Sequence, residues 1–203
     1  MGARRTGYRR LKRVVDVAVC VVALPVIVPL LALIALAVAV DSRGPILFVQ
    51  RRTGRNGVRF PMLKFRTMVR NAEELKASLQ HLSIVPAPDF KMIDDPRITR
   101  VGRILRKTSL DELPQLINVL VGHMSLVGPR PTSFAPETYT LWHTRRLEVR
   151  PGLTGLWQIQ GRTGLSFDER LRLDLRYIDH CCLPVDLWIL AATVRSVVQR
   201  GGE

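Results

Sequence analysis

The sequence predicts a helix-rich, mixed α/β fold: an N-terminal membrane helix followed by one compact domain with little sheet. Three observations carry that expectation. Val17 to Val40 runs without a charged residue, enough for about 36 Å of helix at 1.5 Å per residue. Ser109 and Ser166 each precede a glutamate three residues on, the spacing of a helix capping box. One hairpin signal stands out, with apolar segments on either side of Asn56-Gly57, a dipeptide that supplies positive φ.

At 203 residues the chain can hold one domain with a proper core and one extra element. The expected division is a basic leader and membrane helix over residues 1–44, then a cytosolic domain with membrane-surface helices over 45–203. The formal charge is +14, yet 47% of residues are hydrophobic and mean hydropathy is positive. Such charge calls for an anionic partner: nucleic acid, an anionic membrane face or a phosphorylated substrate. Basic and apolar together favour the membrane. A nucleic-acid binder lacks support, since no aromatic interleaving or known DNA- or RNA-binding motif is present. Three cysteines without CxxC spacing fit a reducing compartment. The four histidines show no metal-ligand spacing.

The leader carries Arg4, Arg5, Arg9, Arg10, Lys12 and Arg13. The apolar run that follows is too long for the core of a signal peptide. Basic residues flank it on both sides, with Arg51, Arg52, Arg55 and Arg59 beyond it. A straight crossing would put one cluster on the outer face, against the usual bias. Pro25 and Pro29 each remove a helix hydrogen bond and favour a bend. On the residues alone, a spanning helix and one that bends back to the same face remain equally open.

Ile46–Gln50 and Phe60–Met68 are expected as the hairpin strands, the second carrying Lys64 and Arg66 on what could be a solvated face. Asn71–Leu82 reads as a short amphipathic helix, and the stretch with Pro86 and Pro88 as a loop. Val101–Lys107 reads as a helix with Arg103 and Arg106 on one side, able to cradle a phosphate. Ser166-x-x-Glu169 opens a further helix. Val185–Val198 is strongly apolar but too short to span, and suits a helix lying on the membrane with Trp188 at the interface.

The chemistry concentrates in Ser109-Leu110-Asp111-Glu112-Leu113-Pro114-Gln115-Leu116, an acidic island in a basic chain. Its plain reading is a capping box, with Pro114 in the first turn of a helix running from Asp111 to Leu120. Its chemical reading is a phosphate site with two carboxylates, acting as nucleophile or divalent-ion ligand. Arg97, Arg100, Arg103, Arg106 and Lys107 lie before it, and Arg130, between two prolines, lies after.

Several segments together resemble a known family. They are Gln50-x-Arg52-x-Gly54, Lys64-Phe65-Arg66-Thr67-Met68, Asp95-Pro96-Arg97-Ile98-Thr99-Arg100, the run from Arg106 to Leu116, Asn118-Val119-Leu120, Met124 to Pro131, Arg150 to Gly155, and Gly161-Arg162. In number and order they resemble the bacterial sugar transferases, the monotopic polyprenyl-phosphate phosphoglycosyl transferases, in their small form.

The resemblance implies transfer of a sugar phosphate from a nucleotide diphosphate sugar, in the family usually a UDP-sugar, to polyprenyl (undecaprenyl) phosphate with release of UMP. It implies that Asp111 and Glu112 form a catalytic dyad that also holds Mg²⁺. Asp111 would be the nucleophile of a covalent phosphosugar intermediate, and Lys64, Arg106 and Arg130 would bind phosphate or nucleotide. It further implies a re-entrant membrane helix broken at Pro29, on the cytosolic face of the bacterial inner membrane. The expected partners are a UDP-sugar, polyprenyl phosphate and the bilayer, with no nucleic acid; a homodimer is left open. Val28 stands before Pro29 where the family commonly has Ser, and Pro25 is an additional break. A non-catalytic membrane scaffold is the competing reading, opposed by the intact Asp111, Glu112, Lys64, Arg106 and Arg130.

Overall fold

A computed structural model of the chain describes residues 2–84, 90, 92–134, 141–160 and 165–200. Pro86, Pro88 and the Gly161-Arg162 pair lie outside the described residues. In chain order the elements are α1 (Gly2–Asp41), β1 (Leu47–Thr53), β2 (Arg59–Phe65), α2 (Ala72–Leu79), α3 (Arg100–Thr108), α4 (Gln115–Leu120), β3 (Ser125–Val127), α5 (Leu141–Thr144), β4 (Gly152–Thr154), α6 (Leu156–Gln160), α7 (Phe167–His180) and α8 (Leu183–Arg200). Helix dominates, and each of the two sheets has two strands.

The antiparallel β1–β2 hairpin forms where the Asn-Gly signal lies, paired from Leu47↔Phe65 to Thr53↔Arg59. Its turn is a short 3₁₀ segment, Arg55–Gly57, with Asn56 at φ 57° and Gly57 at φ 77°. The second sheet was not expected. β3 and β4 pair in parallel, Ser125↔Gly152 and Val127↔Thr154. Backbone packs on backbone here: a Cβ on Gly152 would lie 2.1 Å from the Gly128 nitrogen. That is why the Arg150–Gly155 segment is punctuated with glycine.

The main core gathers Phe60 and Met62 of β2, Val119 of α4, Met124, Leu126 and Val127 around β3, and Tyr177, Ile178 and Ile189 from α7 and α8. The expected capping box of α7 is present, with Ser166 and Glu169 bonding reciprocally. α8 buries Ile189 but exposes Leu187, Trp188 and Val194.

α1 is one helix through Pro25 and Pro29, long and apolar enough to cross a membrane by length and composition. Its ends are both gripped by the rest of the chain. In the first arm, Asp16 accepts bonds from the Ser125 hydroxyl (2.6 Å) and the Leu126 N–H (3.3 Å). Arg13 donates to the carbonyls of Val119 and Leu120 at the end of α4, and Cys20 joins the main core. In the second arm, Ile34 and Val38 pack with Phe65 and Leu105, and Asp41 accepts from the Val101 N–H at 3.1 Å.

Arg66 is not on a solvated face, as its strand position allowed. It is buried and donates to the carbonyls of Val38, Ser42 and Pro45. The last carbonyls of a helix lack intrahelical donors, and a cation there complements the helix dipole. Between the two arms, residues 21–29 are mostly exposed; Val22 and Val26 are 80% and 72% accessible, and Pro29 lies on this stretch.

Candidate active site

α3 begins where Thr99 accepts a bond from the Gly102 N–H at 3.0 Å. A Cβ at Gly102 would strike the Thr67 carbonyl, so α3 sits directly against the chain leaving β2. It ends at Ser109, which takes a left-handed conformation at φ 58°. The chain then turns through one 3₁₀ segment, Leu110–Glu112, before Pro114 leads into α4.

This corrects the capping-box expectation. An N-cap residue needs extended backbone, and Ser109 is left-handed with no side-chain cap bond. Glu112 does not reach back, because two cations draw it away. Asp111 is not an N-cap either, since α4 starts only at Gln115.

Lys64 Nζ lies 2.8 Å from Glu112 Oε1. Arg130 grips the same carboxylate with both terminal nitrogens, Nη1 at 3.0 Å from Oε2 and Nη2 against Oε1. Such a fork is the strong form of the charge-assisted bond. Asp111 is only 9% accessible, yet among the described residues no group donates a hydrogen bond to its carboxylate.

The two neighbouring carboxyls therefore shift in opposite directions. Burial opposes ionisation of Glu112, but the Arg130 and Lys64 charges outweigh it and hold the carboxyl well below its usual range. Burial pushes the Asp111 carboxyl up, partly offset by the Lys64 charge and reinforced by that of Glu112. Burial also lowers Lys64, against the pull of Glu112, while Glu112 raises Arg130.

Arg106 is exposed on α3 and close enough for its charge to act on Asp111. Arg103 does not join it in a cradle; it faces Asp94 at 3.5 Å.

Three residues with no role assigned from sequence hold this geometry. Asn118 of α4 accepts from the Leu63 N–H (3.0 Å) and donates to the Pro61 carbonyl (2.7 Å), fixing the strand that carries Lys64. Arg146 donates at 2.7 Å to the Arg130 carbonyl and at 2.7 Å to Asp174. Asp174 is fully buried, and burial pushes its carboxyl up to about 7 against the pull of Arg146. Asn118 stands in the family-like segment Asn118-Val119-Leu120, and a polar residue within the apolar run Leu116-Ile117-Asn118-Val119 is a second signal that it finds a buried partner. On the far side of Arg130 a cavity is lined by Arg52, Thr132, Trp157, Phe167 and Arg170.

The donor set bears on a metal. Among the described residues no group of three or more His, Cys, Asp or Glu could hold an ion. Mg²⁺ commonly binds through one or two carboxylates plus substrate phosphates. Asp111, with unengaged oxygens beside Glu112, fits an ion that arrives with a diphosphate.

With this geometry in place, comparison with known proteins is informative. The sequence model of the family described as bacterial sugar transferase matches residues 7–200. Across 98% of the chain there is 45% identity to the undecaprenyl-phosphate galactose phosphotransferase of Salmonella typhimurium, of which the chain covers 43%. A UDP-galactose-lipid carrier transferase of Erwinia amylovora is 41% identical over 96% of the chain, which covers 42% of it. The exopolysaccharide production protein ExoY of Rhizobium meliloti is 41% identical over the whole chain, which covers 92% of it. The chain thus spans under half the length of the first two relatives and most of the third. It belongs to the bacterial sugar transferase family, and the Lys64–Glu112–Arg130 cluster with Asp111 lies inside the matched span.

Proposed function

We propose that the protein transfers a sugar phosphate from a UDP-sugar to undecaprenyl phosphate at the cytosolic face of the inner membrane. The observation that carries this is Asp111, a buried carboxylate with no hydrogen-bond partner among the described residues, beside a paired cation–carboxylate–cation cluster. A carboxylate left bare in this way is free to attack.

In the first half-reaction an Asp111 oxygen forms a bond to the β-phosphorus of the donor. The bond from that phosphorus to the bridging oxygen breaks, and the electron pair leaves on UMP. In the second, a phosphate oxygen of the polyprenyl acceptor attacks the same phosphorus. The bond to Asp111 breaks, its carboxylate is restored, and a polyprenyl diphosphate sugar departs. Arg106, Lys64 and Arg130 supply positive charge around the diphosphate, with Glu112 holding the last two in place. Mg²⁺, held by Asp111 together with the donor phosphates, would offset phosphate charge when bound; the expected second ligand, Glu112, has both oxygens engaged by Lys64 and Arg130. The cavity beyond Arg130 suits the nucleotide, with cations for phosphate and the Trp157 and Phe167 rings for a base. The names of the Salmonella and Erwinia relatives support the acceptor and the donor class.

α1 is read as re-entrant. Asp16 and Asp41 are about 37 Å apart along a straight helix, more than the roughly 30 Å hydrocarbon thickness. A crossing would place them on opposite sides of the bilayer, whereas a single body holds both. α8, with Trp188 outward, is read as lying on the same face.

UMP release in nanodiscs tests the chemistry, using a panel of UDP-sugars with undecaprenyl phosphate and Mg²⁺. One sugar should support turnover, with a phosphosugar adduct trapped on Asp111. Failure of every sugar with well-folded protein would remove the transferase reading in favour of a scaffold.

A further inference from the structure

A second cation cluster lies away from the dyad, in a cavity between the first arm of α1 and the core. Arg9, Lys12, Arg13, Arg55 and Arg150 line it with one acid, Asp16. None of them belongs to the Asp111 cluster. The hairpin separates the two places as well: Arg55 is in its turn, and Lys64 lies five residues along β2 from Arg59, about 17 Å.

Most of these charges have structural partners. Lys12 pairs with Asp186 at 2.9 Å, Arg13 binds the carbonyls ending α4, and Asp16 is bonded to Ser125 and Leu126. Arg55 and Arg150 are different. Their guanidinium groups make no hydrogen bond or salt bridge among the described residues, and Arg55 Nε is buried without a partner. Arg13 and Arg150 converge over Gly122, where an added Cβ would lie 3.5 Å from one and 4.0 Å from the other. The crowding has an electrostatic signature: burial lowers Arg150, and the Arg13 and Arg55 charges lower it further.

Asp16, already bonded to Ser125 and Leu126, is the one acid lining the cavity and offsets the Arg150 charge only in part; the like charges left over cost stability unless an anion joins them. The walls identify the anion's chemistry. Val127, Val149 and Ile178 add apolar surface, and the apolar run of α1 begins immediately after Asp16. A phosphate carried on an apolar body, at the level where the chain meets the bilayer, satisfies both. We infer that Arg55, Arg150 and Arg13 form a lipid-phosphate site that holds the headgroup of an anionic membrane phospholipid. The inference uses the membrane placement of α1 but none of the transferase chemistry.

The full chain purified in zwitterionic lipid nanodiscs, with and without phosphatidylglycerol, tests it through retained lipid by mass spectrometry and through melting temperature. Arg55→Gln with Arg150→Gln should weaken phosphatidylglycerol retention about thirtyfold, from about fivefold for each cation near a membrane surface. The same variant without phosphatidylglycerol should melt no lower than wild type, because like-charge repulsion is relieved. Arg55→Lys with Arg150→Lys should restore part of the retention, a point charge replacing a fork. A surface pair removed elsewhere, Arg70→Gln with Arg172→Gln, should retain lipid as wild type does. Equal loss in that control would overturn the site as mere surface charge. A lower melting temperature of the Gln pair without lipid would overturn it as a structural contact. If inorganic phosphate alone reproduces the lipid-induced shift, the occupant is a soluble phosphate and the lipid assignment fails. UMP release is not the readout, so a failure here leaves the proposed transferase reaction untouched.

Discussion

Two largely buried carboxylates among the described residues meet a lysine, Asp186 at Lys12 and Glu112 at Lys64, and the two places behave differently. Asp186 Oδ2 takes Lys12 at 2.9 Å and Tyr8 at 2.7 Å, while Oδ1 takes Tyr177 at 2.7 Å. Burial pushes the Tyr177 hydroxyl well above its usual range, so it stays a donor. Every group there has a partner, and the result is a fastener between α1, α7 and α8. Glu112 is as fully bonded, between Lys64 and Arg130. Its neighbour Asp111 is not. The same ingredients give a fastener in one place and an exposed chemical question in the other, and the difference is a single unbonded carboxylate.

The largest expected effect falls on that carboxylate. Asp111→Asn keeps shape and size, so melting in detergent should be nearly unchanged while UMP release falls on the order of 10⁴-fold or more. An active Asp111→Asn protein would erase the distinction between the two places. Glu112→Gln should cost about 10²-fold in turnover, as loss of one charge-orienting group does. It should also move the acid limb of the rate profile. Asp111 is raised, so its attacking form disappears as pH falls through a value above the ordinary carboxylate range. Removing Glu112's charge and releasing Lys64 and Arg130 toward Asp111 both favour ionisation, so the limb should move to lower pH. A limb that stays in place would show that Asp111 is not the group titrating.

At the fastener the readout reverses. Asp186→Ala leaves Lys12 buried without its partner and should cost about 3 kcal/mol in stability, measured by thermal or denaturant unfolding. Turnover per folded molecule should stay near wild type.

The smallest effect concerns Asp174, which holds the Arg130 loop through Arg146. Its folded pKa of about 7 lies above the unfolded value near 3.8. The folded state therefore binds the proton more tightly, and this contribution is full below the unfolded pKa and lost as pH rises toward 7. Asp174→Asn should flatten the part of the melting-temperature profile between those limits. An unchanged profile would mean that Asp174 is ionised in the folded protein.

What the sequence revealed follows distance along the chain. The α7 start and the hairpin were legible because a cap or an Asn-Gly turn acts over two to four residues; α3 was expected as a helix over Val101–Lys107, without its Thr99 cap. The Lys64, Asp111, Glu112 and Arg130 grouping was legible through family-like motifs. The supporting roles were not, since Asn118, Arg146 and Asp174 find partners many residues away. The β3–β4 pair has strands of three residues each, too short for an alternation to register. Arg66 was misjudged for a similar reason: strand position tells which face it leaves, and not that a helix end is waiting there. The left-handed Ser109 gives no sign in composition, and it is what turns an apparent capping box into a 3₁₀ turn.

The two grips on α1 also set an order of events during synthesis. The helix leaves the ribosome before the residues that hold it: Arg66, which covers its carbonyl end, follows some two dozen residues later. Ser125, which binds Asp16, follows 109 residues later. The helix is therefore made before either of these holds exists. The folded body closes on it afterwards as a clasp.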